Sequence, residues 1–230
     1  MSLNIDHSRI NAAIAQAELS TSGEITCVIK GKAMDYSGTP VGWAAAAALI
    51  LPLGFAGMGL LPHDWLAAAL GKVIGWNTIG VSGELATWEI ALAYAALQLV
   101  LFTGVFVLVN FTPLKLWLTP KATRHRKAHE KAMEQFYARG LHLTQAQTGV
   151  MIFCALEEHF VEVIADSGIY GKVDASVWND TVAVLLKHIK SGDLTTGFEQ
   201  AIGKCGEALS AHFPPDGDNP NELPDVLIEI

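Results

Sequence analysis

Two uncharged apolar runs dominate the polarity pattern of this chain. Val41–Leu61 is 21 residues long and Ile90–Phe111 is 22. A helix of about 20 apolar residues spans the hydrocarbon core of a bilayer, so the two runs are expected to cross it as a helical hairpin. Pro52, Gly54, Gly57 and Gly59 would disfavour a helix in water but are tolerated in lipid, where small residues allow close helix contact. Trp43, Trp88 and Trp117 lie near the ends of the runs, where an aromatic belt belongs. Between them, Trp65–Trp76 reads as a short helix in the membrane interface. It is too short for a third span and carries Lys72 in its middle.

Outside these runs the apolar positions take the periods of soluble structure. Ile5, Ile10, Ile14 and Ala17 predict an amphipathic helix, capped by Asp6 or Ser8. The turn Thr21-Ser22-Gly23 introduces a strand, Glu24–Lys30. Thr119 as N-cap and Pro120 as first residue open a helix to about Arg139, which Gly140 ends. Ala128, Ala132, Met133 and Phe136 form its apolar face, and its basic first turns suit anionic head groups. Thr148–Leu156 and Phe160–Asp166 read as strands joined by the turn Glu157-Glu158-His159. Two helices follow, Ala175–Lys190 and Leu194–His212, parted by Ser191-Gly192-Asp193. Beyond Phe213 the chain is rich in proline and acid and reads as an extended or disordered tail. The soluble part is therefore expected to be α+β, with Glu24–Lys30, Thr148–Leu156 and Phe160–Asp166 in one sheet. An even number of spans returns the chain to its starting side. One body can then form from residues 1–36 and 119–213, interrupted by a hairpin at 37–118 and followed by an acidic tail at 214–230.

Composition sharpens this picture. Hydrophobic residues make up 51% of the 230 positions, and the mean hydropathy is +0.33, with the excess concentrated in the two runs. The net charge of −8 argues against nucleic acid as a partner. Six of the 15 Lys and Arg residues fall between Lys115 and Lys131. With Lys30 and Lys32 on the other flank, the positive-inside rule places both outer flanks in the cytoplasm. The expected location is the inner (plasma) membrane, with the soluble body and both termini cytoplasmic and the bilayer itself as a partner. Cys27, Cys154 and Cys205 form neither a disulfide framework nor a zinc pattern and read as buried free thiols. The N-terminus has no basic region followed by an apolar run, so no signal peptide is expected.

One family shares this order of elements. The amphipathic helix precedes Ser22-Gly23-Glu24-Ile25, a helix ends in Phe136 and Gly140, and TGVMIFCALEEHFVEVIADSGI occupies 148–169. Trp178, the Gly192-Asp193 and Gly197 turn, and His212-Phe213-Pro214 through Asn221-Glu222-Leu223-Pro224-Asp225 follow. The chain resembles the TPM domain family of bacterial and chloroplast membrane-associated proteins over roughly 1–36 and 120–225, most specifically over Gly149–Ile169. The resemblance implies a mixed β-sheet flanked by helices, with the hairpin as an insertion. It also implies a link to acid phosphatase activity, to calcium binding, or to repair and assembly of membrane complexes. Bacterial relatives often occur beside LemA-like membrane proteins, which suggests such a partner by association. Many members carry an acidic Asp-Asn-Gly before the central strand, where this chain has Gln147-Thr148-Gly149. Asp166 matches a position in the family's Gly/Asp-containing turn and is the acidic candidate that survives, as catalytic residue and as metal ligand.

The residues themselves suggest few sites. His125 and His129 are four apart on a helix, a spacing zinc can use, but among Arg124, Arg126 and Lys127 they read as a solvated, membrane-facing basic stripe. Glu157, Glu158, His159 and Glu162 offer general acid–base groups but read as a polar hairpin tip. Asp166, Asp174 and Asp180 flank the 167–173 loop and offer oxygen ligands to calcium or magnesium, with Asp166 and Asp174 as the metal candidates, although Asp174 also suits a helix cap. No nucleophile elbow, phosphate loop or dinucleotide fingerprint occurs. Two functions follow. One is a membrane-anchored interaction or assembly module for membrane complexes. The other is a metal-assisted acid phosphatase using Asp166 with a divalent cation. A transporter is disfavoured, because two spans without intramembrane charge give a polar solute no pathway.

Overall fold

The computed structural model of the protein describes residues 5–32, 34–58, 87–169, 171–215 and 220–230. The chain divides into two compact units. One joins Met1–Met34 to Lys121–Ile230, and the other is Asp35–Pro120.

The first unit is α+β around a mixed four-stranded sheet. Its strands are β1 (Glu24–Lys30), β2 (Gly149–Ala155), β3 (Phe160–Ala165) and β4 (Leu227–Glu229), in the order β3-β2-β1-β4. β1 runs parallel to both β2 and β4, and β2 runs antiparallel to β3. Every residue of β2 is buried, as expected of an inner strand covered on both faces. Alternation sorts the side chains. Ile25, Cys27, Ile29, Val150, Ile152 and Cys154 join one core with α1 (His7–Glu18) and with the later helices over Ala175–Ser191 and Leu194–His212. Val28, Met151 and Phe153 are equally buried but point the other way, since successive strand residues alternate faces. On that side the helix Lys121–Ala138 packs over β2 and β3 with Ala128, Ala132 and Phe136 buried.

The second unit holds α2 (Gly38–Gly57), α3 (Thr87–Phe111) and a short α4 (Leu114–Leu118). The remaining helices are then α5 (Lys121–Ala138), α6 (Ala175–Ser191) and α7 (Leu194–His212). α2 and α3 pack on each other. Both are long and apolar enough to cross a membrane, with 22% of the Gly38–Phe55 window and 6% of the Tyr94–Phe111 window buried. The interfacial segment expected at Trp65–Trp76 lies outside the described residues.

Local signals explain most boundaries. Asp6 caps α1 by accepting from Arg9 N, and Asp174 and Asp193 cap α6 and α7 in the same way. Gly140 and Gly192 sit at φ 74° and 78°, where glycine carries no Cβ penalty, and follow α5 and α6. Two expectations need correction. Thr119 is the C-cap residue of α4, and its hydroxyl donates to the Lys115 carbonyl at 2.7 Å rather than starting α5. The segment read as an extended or disordered tail contains β4, paired through Leu227, Ile228 and Glu229 to Cys27, Val28 and Ile29.

Candidate functional site

Asp166 closes the end of β3. Its backbone N–H bonds the Gly149 carbonyl at 2.9 Å, and its carbonyl accepts from Ile169 N at 3.0 Å. The side chain is buried. Oδ1 accepts from Ser167 N at 2.6 Å and from Ser167 Oγ at 3.2 Å. Oδ2 is buried without a protein partner, which is costly for a carboxylate oxygen. Ser167 Oγ also lies 3.1 Å from Gln147 Oε1. Gln147 itself stands at φ 53°, a left-handed conformation uncommon outside glycine, asparagine and aspartate. The β3 end and the loop before β2 thus meet closely. A Cβ at position 168 would fall 2.6 Å from the Gln147 carbonyl oxygen. The structure therefore brings Asp166 and Ser167 close to Gln147-Thr148-Gly149.

Asp174 plays another part. Its carboxylate accepts from Ser176 N at 2.8 Å, and the Ser176 hydroxyl and then that N–H hold its pKa below the ordinary aspartate value. The orphaned Oδ2 of Asp166 is the kind of atom a cation would satisfy. The other donors fall short: among the described residues no three His, Cys, Asp or Glu side chains gather as metal ligands. Calcium takes about six to eight oxygens, and of the two carboxylates expected to offer them Asp174 is engaged as a helix cap.

The histidines of α5 face the sheet's edge strand. His129 Nδ1 lies 2.8 Å from Glu162 Oε1, and the His125 ring is 5.2 Å from that of Phe160 with the planes at 57°. Glu162 and Phe160 share one face of β3, two residues apart. His125 and His129 thus touch β3 instead of forming a free stripe. Glu158 is buried at the hairpin turn and accepts from Met34 N at 2.6 Å. The three cysteines are buried and free. Burial holds all three thiols protonated, raising Cys27 well above its usual pKa and pushing Cys154 and Cys205 up to about 12.

A further group of carboxyls was invisible to sequence reasoning. Buried Glu24, at the start of β1, accepts from Glu222 N at 3.3 Å and Leu223 N at 3.1 Å. Half-buried Glu18, at the end of α1, accepts from Ile25 N at 2.7 Å. Burial and then the nearby Glu24 and Asp225 charges raise Glu18 to about 8, against the pull of the Ile25 N–H. Burial also raises Glu24, opposed by the two N–H groups it accepts from. Glu222 in turn accepts from Gln145 N at 3.1 and 3.3 Å. Glu24 lies 198 and 199 residues from its partners Glu222 and Leu223, so no local spacing signals them.

The class is thus an α+β body with helices on both faces of a mixed sheet, carrying a unit of two long apolar helices. No family model matches the chain, and no curated protein does. Among solved structures it is similar to the NMR structure of the BA42 protein from the psychrophilic bacterium Bizionia argentinensis. The two share 18% identity at a TM-score of 0.55, over 100% of this chain and 98% of that one. At this identity the likeness concerns the fold.

Proposed function

We propose that this protein is a TPM-like interaction and assembly module, held on the cytoplasmic side of the inner membrane by α2 and α3 as a transmembrane hairpin. The observation that carries the anchor is the outward display of large apolar side chains. Leu53 is 64% exposed, Leu99 66% and Val100 69%, on helices with no charge in their apolar runs. In water that surface would be a liability; in lipid it is the ordinary exterior of a span. The module reading is supported by the incomplete donor set around Asp166 and by the capping role of Asp174. Its partner would be another membrane protein, of LemA-like type by association.

A second reading, acid phosphatase chemistry at Asp166, has one observation in its favour, the buried and unpartnered Oδ2. The deciding experiment is phosphomonoester hydrolysis by the detergent-purified full chain with calcium, magnesium or chelator, beside Asp166→Asn. The module reading expects no turnover in any condition. Activity that Asp166→Asn reduces at least about a hundredfold, the scale of losing a general acid or base, would make the protein an enzyme.

A further inference from the structure

One end of the α+β body gathers basic side chains. Lys30 is the last residue of β1, opposite Ala155 of β2, which is opposite Phe160 at the start of β3. Ile25, Cys27 and Ile29 enter the core shared with α1, so Lys30 projects from the other face, the one that α5 covers. α5 runs along β3 in the same direction. The His125 ring meets that of Phe160 at 5.2 Å, and His129 Nδ1 meets Glu162 Oε1 at 2.8 Å. The residues of α5 before His125 therefore reach past the end of the sheet at which Lys30 stands.

Five cations share this end. Lys121, Arg124 and Lys127 stand on the first two turns of α5, Lys30 closes β1, and Lys32 follows it. Lys32 and Lys121 are exposed. Among the described residues no carboxylate forms an ion pair with any of the five, whereas Arg126 and Lys131 are matched within α5 by Glu130 and Glu134. The acids nearby are Glu157 and Glu158 at the hairpin turn, and buried Glu158 accepts from Met34 N at 2.6 Å. Glu229 belongs to the other face: it pairs with Ile29, which points toward α1, and lies 2.8 Å from His7 of that helix. Glu24 and Glu222 meet where β1 begins, at the opposite end of the sheet.

We propose that this end of the body docks on the anionic phospholipid head groups of the bilayer through Lys30, Lys32, Lys121, Arg124 and Lys127. The inference rests on the anchor reading and adds an orientation to it. The chain leaves the body after Met34 and returns at Lys121, so the tether to the apolar helices is attached at the basic end. Lys and Arg next to a membrane span are attracted by acidic lipids, and the attraction dies away within a Debye length. The five cations lie where that attraction acts. Glu24 and Glu222, a strand's length away, are spared the repulsion of a like-charged surface.

The test is acetylation of lysines by a neutral reagent on the full chain in lipid nanodiscs, read residue by residue by mass spectrometry. Discs of phosphatidylcholine alone are compared with discs of phosphatidylcholine and phosphatidylglycerol in equal parts. Docking predicts that Lys30, Lys32, Lys121 and Lys127 react at least about threefold more slowly in the acidic discs, and that salt at about 1 M abolishes the difference. Lys172, on the loop after β3 at the other end of the sheet, and Lys204 of α7, on the other face, change less than about twofold. Lys121→Glu combined with Lys127→Glu removes the slowing at Lys30 and Lys32. Lys30→Glu combined with Lys32→Glu removes it at Lys121 and Lys127, and serves if the first pair folds poorly. Equal rates in both lipids, with the chain held in the discs, overturn the docking and leave the anchor standing. Slowing of equal size at Lys172, or slowing that persists in a folded variant, does the same. A chain that stays out of discs of either composition overturns the anchor and the docking together.

Discussion

A methyl group at Gly149 would lie 2.5 Å from the Leu141 carbonyl oxygen, whereas one at Gly203 would meet nothing within 4 Å. The same substitution should therefore have opposite signs at the two positions. Gly149→Ala forces β2 away from the loop that precedes it, and urea unfolding is expected to show a loss of about 1–3 kcal/mol, the usual range for overpacking. Gly203→Ala, inside α7, replaces a poor helix former by the best one and should gain about 0.5–1 kcal/mol. Local sequence does not separate these glycines, since each stands between one apolar and one polar neighbour. What separates them is a backbone carbonyl eight residues away in one case and open space in the other.

Elements with their own signals were legible, and elements defined by a partner were not. β1, β2 and β3 carry runs rich in apolar and β-branched residues bounded by turns, and α6 and α7 have an acid before them and a glycine between them, so their limits follow from local chemistry. β4 does not. Leu227–Glu229 is three residues long, follows an acidic, proline-containing stretch, and becomes a strand because β1 offers an open edge. Nor does a single strand state that β1 and β2 run parallel; that needs the crossover supplied by α5. At this scale Asp174 can be tested. As the N-cap of α6, Asp174→Ala should cost about 0.5–2 kcal/mol, and the wild type and variant should show the same thermal shift, or none, on adding calcium. A calcium-dependent gain in Tm present only in the wild type would return Asp174 to the metal ligands.

At the scale of the whole molecule, the α+β unit is a body whose chain leaves after residue 34 and returns at residue 121. The core of that body draws on both pieces, with Ile10, Ile14, Ile25 and Ile29 from the first beside Ile152, Phe198 and Ile202 from the second. No described residue of the Asp35–Pro120 unit lies in a strand of the sheet. Membrane fractions from cells making the full chain should therefore retain it through alkaline carbonate washing. A variant in which residues 35–120 are replaced by a flexible linker of about ten residues should appear in the soluble fraction with its β2 amides still protected, as tolerated insertions in surface connections suggest. A carbonate-soluble full chain would remove the anchor from the proposed function. An unfolded variant would make the insertion part of the fold.

The amino-acid sequence by itself determined the two apolar helices, the α+β class, most element boundaries and the burial of the cysteines, because each depends on side-chain polarity at short period. The tertiary structure decided what depends on residues far apart in the chain. It set the mixed strand order, the conversion of the tail into β4, the closeness of Gln147 to Ser167 and Asp166, and the contact of His129 with Glu162. It also assembled Glu18 and Glu24 beside Glu222 and Asp225, where burial and then the neighbouring negative charges raise the proton affinities of Glu18 and Glu24. Those forces act only between groups that folding has already brought together.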